Sequence, residues 1–505
     1  MADRYIHDQQ MDKVVEHQMG QWELSHSAEE KSEEQAHLAG ETEIRYITIS
    51  QQLGSGGEQI AQILSELLKW QIYDHEILNY MAENMDVHVK TLESVDERTI
   101  SWINDWLAPL FSSKSGEHVE QMSYYKHLGK VLLVIAKHGR AIIIGRSAGQ
   151  ILPREKGLSI RITAPFELRC SRYAKANNIS VEEAAKLVKT SDKQQAGFMK
   201  ELLQKDIDDP IWYDIVINME KLAPKSVAKL IWRALEQRII SRQEQVKVND
   251  EGEDITLIVE RQMQQWEKER NEPDKQKPFE FPHLAGGAEI EYITIGRLVG
   301  AGGAEIARIL SDQMNWQLYD REILEYMSKN MKVHVRLLTS LDERTVGWIG
   351  DRLMPFLARK TKEEHIKQMR YFQHLGEVLL ALAKHGRAVI LGRGSGLILP
   401  REKGLSVFVT APFDLRCKRY AGEKKIGLEE ATSFMNKSDR HLRRFVKDFL
   451  GKNLCDPLDY DIVFNTEKIY PTSVTKLVLR TLDERLASEQ EQSDIPQPDD
   501  TGERK

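Results

Sequence analysis

The sequence has few cysteines, no excess of basic residues and no long apolar run. Its three cysteines, Cys170, Cys417 and Cys455, are too few for a disulfide framework, and none has the spacing of a metal-ligand pair. Lysine and arginine number 71 against 78 aspartates and glutamates, and the net charge of −7 gives no reason to expect nucleic acid or an anionic membrane as a partner. No apolar stretch approaches the about 20 residues that span a bilayer.

The first residues, 1–21, are polar and lack the apolar core of a secretory signal. Hydrophobic residues make up 41% of the 505-residue chain, which is ordinary for a globular protein of two to four domains. We therefore expect a cytoplasmic protein with no metal site built by protein ligands alone, and with neither a membrane nor a nucleic acid as partner.

A strand–glycine–helix unit stands early in the chain. Residues 46–50 are β-branched and apolar, and residues 58–69 carry apolar side chains at helical spacing. The loop between them is Gly54-Ser55-Gly56-Gly57. Glycines let the backbone approach a ligand closely, and the free N–H groups at a helix start attract anions. This loop therefore predicts a phosphate-binding site.

The same unit returns 246 residues later, with the loop Gly300-Ala301-Gly302-Gly303. Other stretches return with it, among them Tyr73-Asp74 as Tyr319-Asp320. The period is far too long for a solenoid of short repeats. The chain is therefore predicted to contain one domain twice.

The repeat and the polar, proline-containing stretches around it predict five regions along the chain. They are an N-terminal helical arm and link (1–43), a first, degenerate domain (44–245), a second arm and linker (246–290), a second domain (291–487) and a disordered acidic tail (488–505). We expect the two halves to pack against each other, and the chain could also form a homo-oligomer.

Short runs of Ile and Val alternate with helical patterns inside each half, as in buried parallel strands. This alternation predicts an α/β fold with a doubly wound parallel sheet, whose ligands bind at the carboxyl ends of the strands. In the first half we expect strands at 46–50, 71–73, 141–144, 158–163 and 214–218, and helices at 165–176, 180–189, 192–205 and 224–240.

The order of the motifs resembles that of nucleoside-monophosphate kinases, and most closely the cytidylate kinase-like family. The resemblance covers most of each half, and its carriers are Ile-Thr-Ile-Ser before the glycine loop, Tyr-Asp-x-Glu-Ile-Leu, Ile-Gly-Arg, Ala-Pro-Phe-x-Leu-Arg and Asp-Pro-x-x-Tyr-Asp-Ile-Val. It implies a P-loop NTPase-like fold in two homologous domains. It also implies a kinase that uses ATP and Mg²⁺ as cofactors and CMP or a related nucleotide as acceptor.

The sequence departs from a cytidylate kinase at the phosphate loop. That family's loop ends Gly-Ser-Gly-Lys-Ser-Thr, whereas Gly57 and Gly303 stand at the lysine position here. The lysine charge and the hydroxyl that binds Mg²⁺ are therefore both missing. Ile144 and Leu391 also replace the acidic residue of an Asp-Gly-Arg-Asp turn. Such losses are on the order of 10³-fold in rate for each charged group.

The second half carries arginines that the first half lacks. Arg297 lies beside the second glycine loop, where the first half has Gln51, and a guanidinium could replace the missing lysine. The lid segment of the second half carries three more arginines, to which the resemblance assigns the transition-state charge: Arg440, Arg443 and Arg444. A solvated helix face is the alternative for this cluster. The second half is thus the better candidate for catalysis.

Two further pairs of residues follow strands in both halves. Arg146 and Arg393 could bind the acceptor phosphate or form structural ion pairs. Asp74 and Asp320 could contact the acceptor or cap the next helix.

Bland structural roles are favoured for the other residues that stand out. They are the ion pairs Glu97-Arg98 and Glu343-Arg344, the helix-end residues His138 and His385 that would complement a helix dipole, and the core or interface residues Trp102, Trp106 and Trp348. Two functions stay open: a phosphotransferase acting on a nucleoside monophosphate, or a catalytically inactive nucleotide-binding or scaffold protein. A kinase for another small acceptor is a weaker third.

Overall fold

The computed structural model describes residues 44–74, 76–78, 119–240, 259–261, 263–264, 290–339 and 366–493. The chain forms two compact units, the first comprising Met1–Glu220 with Val227–Ile239 and the second Lys221–Ser226 with Ile240–Lys505. Several predictions fall outside the described residues: the first arm, most of the second arm and its link, the end of the tail, and Glu97, Arg98, Glu343, Arg344, Trp102, Trp106 and Trp348.

The first half alternates strands and helices as its sequence predicts. In chain order its elements are β1 (Tyr46–Gln51), α1 (Gly57–Leu68), β2 (Gln71–Tyr73), α2 (Val119–His138), β3 (Ala141–Ile144), α3 (Ala148–Ile151), β4 (Gly157–Thr163), α4 (Phe166–Asn177), α5 (Val181–Leu203), β5 (Ile215–Asn218) and α6 (Pro224–Ile240).

The second half repeats this order. Its elements are β6 (Tyr292–Arg297), α7 (Gly303–Met314), β7 (Gln317–Tyr319), α8 (Arg321–Lys329), α9 (Met331–Thr339), α10 (Ile366–His385), β8 (Ala388–Leu391), α11 (Ser395–Ile398), β9 (Gly404–Thr410), α12 (Phe413–Lys424), α13 (Leu428–Phe445), β10 (Ile462–Asn465) and α14 (Pro471–Ser493). A single π-helical turn, Val446–Leu450, follows α13. Helix α14 extends past residue 487, where the sequence predicts that the tail begins.

Each half contains a five-stranded parallel sheet. The strand order is β2-β3-β1-β4-β5 in the first half, and β7-β8-β6-β9-β10 in the second. The central strands are buried along most of their length, because helices cover both faces of a parallel sheet. This arrangement confirms the predicted doubly wound α/β fold and the duplication.

One helix differs from the prediction. The sequence predicts two helices at 180–189 and 192–205, but α5 runs unbroken through Thr190 and Ser191. The hydroxyl of Thr190 donates to the carbonyl of Lys186 at 2.8 Å, so a residue that often ends helices is satisfied inside this one. The predicted break was therefore wrong.

Candidate functional site

The glycine loops join the central strand to the first helix of each half. A Cβ on Gly300, whose φ is 75°, would lie 2.6 Å from the carbonyl oxygen of Arg416, and Gly54 (φ 80°) faces Arg169 in the same way. Only glycine fits there, because the loop packs against the first turn of α4 in the first half and of α12 in the second. Helices α1 and α7 begin at Gly57 and Gly303, so their first N–H groups lack partners within the helix.

A buried arginine fixes each loop, and its role was missed in the sequence. In the first half, Arg169 donates to the carbonyls of Ala164 at 3.0 Å and Leu53 at 3.4 Å. Its two terminal nitrogens also pair with both oxygens of Asp192, at 3.0 and 2.8 Å. The guanidinium thus joins the glycine loop, the end of β4 and helix α5.

The second half repeats this arrangement with Arg416. It donates to the carbonyls of Ala411 at 3.0 Å and Val299 at 3.1 Å, and pairs with Asp439 at 3.1 and 2.7 Å. The arginine–aspartate spacing is 23 residues in both halves. That repeated spacing is the signal that could have revealed the contact. Arg169 and Arg416 end the motif Ala-Pro-Phe-x-Leu-Arg, which by itself does not indicate their aspartate partners.

The turn after β3, and the matching turn after β8, presents an arginine at the same edge of the sheet. The φ angles of Gly145, Arg146 and Ser147 are 77°, 51° and 51°, and Arg393 between its two glycines has a φ of 53°. A non-glycine residue in this left-handed region costs on the order of 1–3 kcal/mol. Both halves keep that strain at a strand end, where side chains meet ligands in this type of sheet.

The first half has a cavity of about 580 Å³ at this edge. Its walls are the end of β1, the turn that carries Arg146, and one face of α5. The lining residues are Ser50, Gln51, Leu53, Glu58, Ile144, Gly145, Arg146, Ser147, Ser191, Gln194, Gln195, Phe198 and Ile207. Arg146 makes no hydrogen bond or ion pair with the described part of the chain, and its Nε is buried without a partner there. The residues that flank the predicted loop, Leu53 and Glu58, and the predicted acceptor arginine of this half therefore line one cleft.

Arg393 has a different environment in the second half. Its Nη2 lies 2.7 Å from Glu325 Oε2, so it forms the ion pair that the sequence left as an alternative. A shallow groove of about 760 Å³ lies along α8 beside this pair, lined by Glu322, Glu325, Tyr326, Lys329 and Asn330.

Arg297 crosses from the glycine loop to this turn. A Cβ on Gly303 would lie 2.8 Å from Arg297 Cβ, and one on Gly392 would lie 2.6 Å from Arg297 Nη1. Burial lowers the pKa of Arg297, and the charges of Arg321 and Arg393 lower it further. Its guanidinium has no hydrogen-bond or ion-pair partner among residues 290–339 and 366–493. In the first half, Gln51 instead donates to Glu58 at 3.1 Å.

The two aspartates after the second strand act as helix caps. Asp74 Oδ1 accepts hydrogen bonds from the amides of Glu76 and Ile77, both at 3.0 Å. Asp320 Oδ1 caps α8 in the same way, at 2.9 and 3.0 Å. Their carboxylates are therefore engaged in the capping role that the sequence offered as the alternative to ligand binding.

The lid arginines lie on the face of α13 opposite to the positions that, by correspondence with α5, line the cleft in the first half. The cleft-lining positions of α5 correspond in sequence to Ser438, His441, Leu442 and Phe445 of α13. Because successive helical residues are rotated by about 100°, the positions of Arg440, Arg443 and Arg444 fall on the opposite face. All three side chains are exposed, with no hydrogen-bond or ion-pair partner in the described ranges. This placement matches the solvated-face alternative.

One buried position in the sheet differs in polarity between the two halves, and the sequence patterns did not reveal it. Arg161 on β4 lies 2.7 Å from Asp208 and donates to the hydroxyl of Ser50 at 3.0 Å. Phe408 stands at the position of Arg161 in the second half, and its ring stacks on Tyr460 at 4.8 Å. This position of the sheet is therefore charged in the first half and apolar in the second.

Within the described ranges, no group of three or more His, Cys, Asp or Glu residues could bind a metal. None of the described helices has the length and apolar character to cross a bilayer.

Comparison with known proteins assigns both halves to one family. The model of the cytidylate kinase-like family matches residues 46–221 and 292–468. Each matched segment begins at the strand before a glycine loop and ends after the last strand of its sheet.

Individual relatives match part of this chain. A cytidylate kinase of Pyrococcus horikoshii is 35% identical over 101 residues, which are 20% of this chain and 52% of that protein, so the chain spans about half of its length. A cytidylate kinase of Thermoplasma acidophilum is 24% identical over 194 residues, or 38% of this chain and 92% of that protein. A crystal structure of an uncharacterized protein from Eubacterium ventriosum is 22% identical and covers 38% of this chain and 98% of its own, with a TM-score of 0.27.

Proposed function

Because the chain belongs to the cytidylate kinase-like family, we propose that it transfers the γ-phosphate of ATP to CMP or a related nucleoside monophosphate, with the second half as the active one. Relatives named as cytidylate kinases support the reaction class. The choice of half rests on the residues around Arg297.

The environment of Arg297 carries this proposal. Its guanidinium reaches from the start of α7 to Gly392, and the charge of Asp320 offsets only part of the burial that lowers its pKa. Arg321 and Arg393 add two positive charges close enough to lower its pKa. Three guanidiniums beside a helix N-terminus stabilise the oxygens of a phosphate chain. Arg297 would thus supply the charge that lysine supplies in the usual loop.

Each remaining group then has a positioning or electrostatic part. The amides at Gly300, Ala301, Gly302 and Gly303 would hold the donor phosphates, and Arg393 would hold the acceptor phosphate. Arg416 fixes the loop that presents those amides. Phosphoryl transfer needs alignment and charge stabilisation with no covalent intermediate on the protein, so this set of groups suits the reaction. A transition-state role for Arg440, Arg443 and Arg444 would require α13 to present its other face.

A second candidate is a nucleotide-binding scaffold without turnover. Two observations favour it: the lid arginines lie on the exposed face of α13, and Glu325 forms an ion pair with Arg393. In that case the loops would bind nucleotide, and the acceptor arginine of the second half would serve as a structural ion pair.

Steady-state ADP release separates the two functions. The full chain is mixed with ATP, Mg²⁺ and CMP, dCMP or UMP, and compared with Arg297→Gln, which places the first-half residue in the second half. Acceptor-dependent ADP release that falls at least 100-fold in Arg297→Gln supports the kinase. Lys437→Gln removes one exposed charge from α13 and should retain wild-type rates. Binding of nucleotide without turnover for any acceptor supports the scaffold.

A further inference from the structure

The ion pair between Glu325 and Arg393 places a carboxylate on the phosphate-binding arginine of the second half. Glu325 Oε2 lies 2.7 Å from Arg393 Nη2, and Oε1 accepts a hydrogen bond from Lys329 Nζ at 2.6 Å. The hydrogen bond from Lys329 and the charge of Arg393 outweigh burial and hold the pKa of Glu325 below its usual range. The carboxylate is therefore ionised at neutral pH.

Other polar groups at Arg393 remain unpaired. Arg393 Nε is buried and has no hydrogen-bond partner in the described ranges, and the same is true of the hydroxyl of Tyr371. The charges of Arg393 and Glu325 both affect the pKa of that hydroxyl, so it lies close to the pair. These donors could serve an incoming anion, and only Glu325 among the described residues already occupies the guanidinium.

The first half has the same turn, and no described carboxylate pairs with its arginine. Arg146 has the same left-handed backbone (φ 51°) and lines a cavity of about 580 Å³. The sequence position that corresponds to Glu325 is Asn79, and Lys329 corresponds to Glu83. An amide at position 79 cannot form an ion pair with the arginine. Among the described residues, the guanidinium of Arg393 therefore has an ion-pair partner and that of Arg146 has none.

We propose that Glu325 competes with phosphate for Arg393, so that a phosphomonoester such as CMP binds at Arg146 in the first half before it binds at Arg393 in the second. This inference rests on the proposed function for the class of ligand. A phosphate dianion at Arg393 must displace Glu325 or lie beside it, and like charges at that distance repel. At Arg146 no described carboxylate pairs with the guanidinium, and Glu58, which lines the same cavity, accepts a hydrogen bond from Gln51. Glu325 thereby sets the order in which the two halves are filled.

Binding of labelled CMP to the full chain by equilibrium dialysis tests the order. The wild type should show one tight class of sites, which Arg146→Gln removes. Glu325→Gln keeps the size of the side chain and removes its charge. It should raise the CMP affinity of a second, weaker class of sites, those at Arg393, at least tenfold. The double variant Glu325→Gln with Arg393→Gln should lose that gain. Cytidine, which lacks the phosphate, should bind equally to wild type and Glu325→Gln.

A matched control lies one helical turn away. Glu322 lines the same groove but makes no ion pair with Arg393 among the described residues, so Glu322→Gln should change CMP affinity less than twofold. Thermal unfolding of each variant checks that it is folded, and Glu325→Ala provides a second removal of the charge should the glutamine form be unstable.

Four results would overturn the proposal. The first is unchanged CMP affinity of the second class of sites in folded Glu325→Gln or Glu325→Ala. The second is a weaker CMP affinity there, which would mean that Glu325 is part of the binding site. An equal gain in Glu322→Gln would mean a general charge effect. Two equal classes in the wild type would mean that no order exists. ADP formation in the same samples reports the proposed kinase activity separately, since the gain in Glu325→Gln does not require phosphoryl transfer.

Discussion

Replacing Arg416 with glutamine removes the guanidinium that ties α13 to the second glycine loop. Only 3% of the arginine surface is exposed, and its partner Asp439 is mostly buried. The substitution leaves that carboxylate and the carbonyls of Ala411 and Val299 without their donor. Breaking a buried pair in this way costs about 3–5 kcal/mol. For a domain of this size we expect the melting temperature to fall by about 6–20 °C.

Differential scanning calorimetry of the full chain measures this effect, with a matched variant in the other half. Arg169→Gln removes the same contacts from the first half. Each variant should lower the transition of its own half. Asp439→Asn keeps the shape of the partner, and combining it with Arg416→Gln should cost less than the sum of the two single changes. A loss below 1 kcal/mol in both arginine variants would refute the reasoning, because it would mean that neither guanidinium holds its loop.

Three further predictions concern single positions. Arg443→Ala should change the rate of ADP formation less than threefold, because its side chain lies on the exposed face of α13; a loss of 10³-fold would restore the transition-state role that the sequence suggested. In chemical denaturation, Gly300→Ala should destabilise the second half by at least 2 kcal/mol, because its Cβ would meet a backbone carbonyl and its φ is 75°. The control Gly422→Ala, with open space around it, should be neutral or stabilising. Burial lowers the pKa of His385 from 6.5 to about 4, so the unfolded chain binds the proton more readily and the free energy of unfolding should fall as the pH drops from about 6.5 to about 4. In urea titrations, His385→Asn should reduce this fall by up to about 3 kcal/mol, and an unchanged pH dependence would contradict the burial of His385.

The fold could be predicted from the sequence because its signals are local. Buried strands appear as short apolar runs, and glycine loops mark the turns between strand and helix. The repeat adds a second, independent instance of each element. The predicted break in α5 was wrong since the hydroxyl of Thr190 bonds within its own helix, which its residue type alone does not indicate.

The site was predicted less completely, because its contacts join distant segments. Arg169 and Asp192 lie on different helices, and Glu325 and Arg393 are 68 residues apart. Neither pair follows from the periodicity of one element. The face of α13 that carries Arg443 depends on how the helix packs, which the arginine cluster itself does not show. His385 ends α10 as expected, but its lowered pKa leaves it neutral at pH 7, so it cannot complement the helix dipole as a cation.

Isothermal titration of ADP into the full chain tests the central claim most directly, because it measures whether Arg297 replaces the absent loop lysine. We expect Arg297→Gln to lower the ADP affinity of the second half at least tenfold, while Arg297→Lys retains most of that affinity. Equal ADP affinity and stoichiometry in wild type and a folded Arg297→Gln would contradict it.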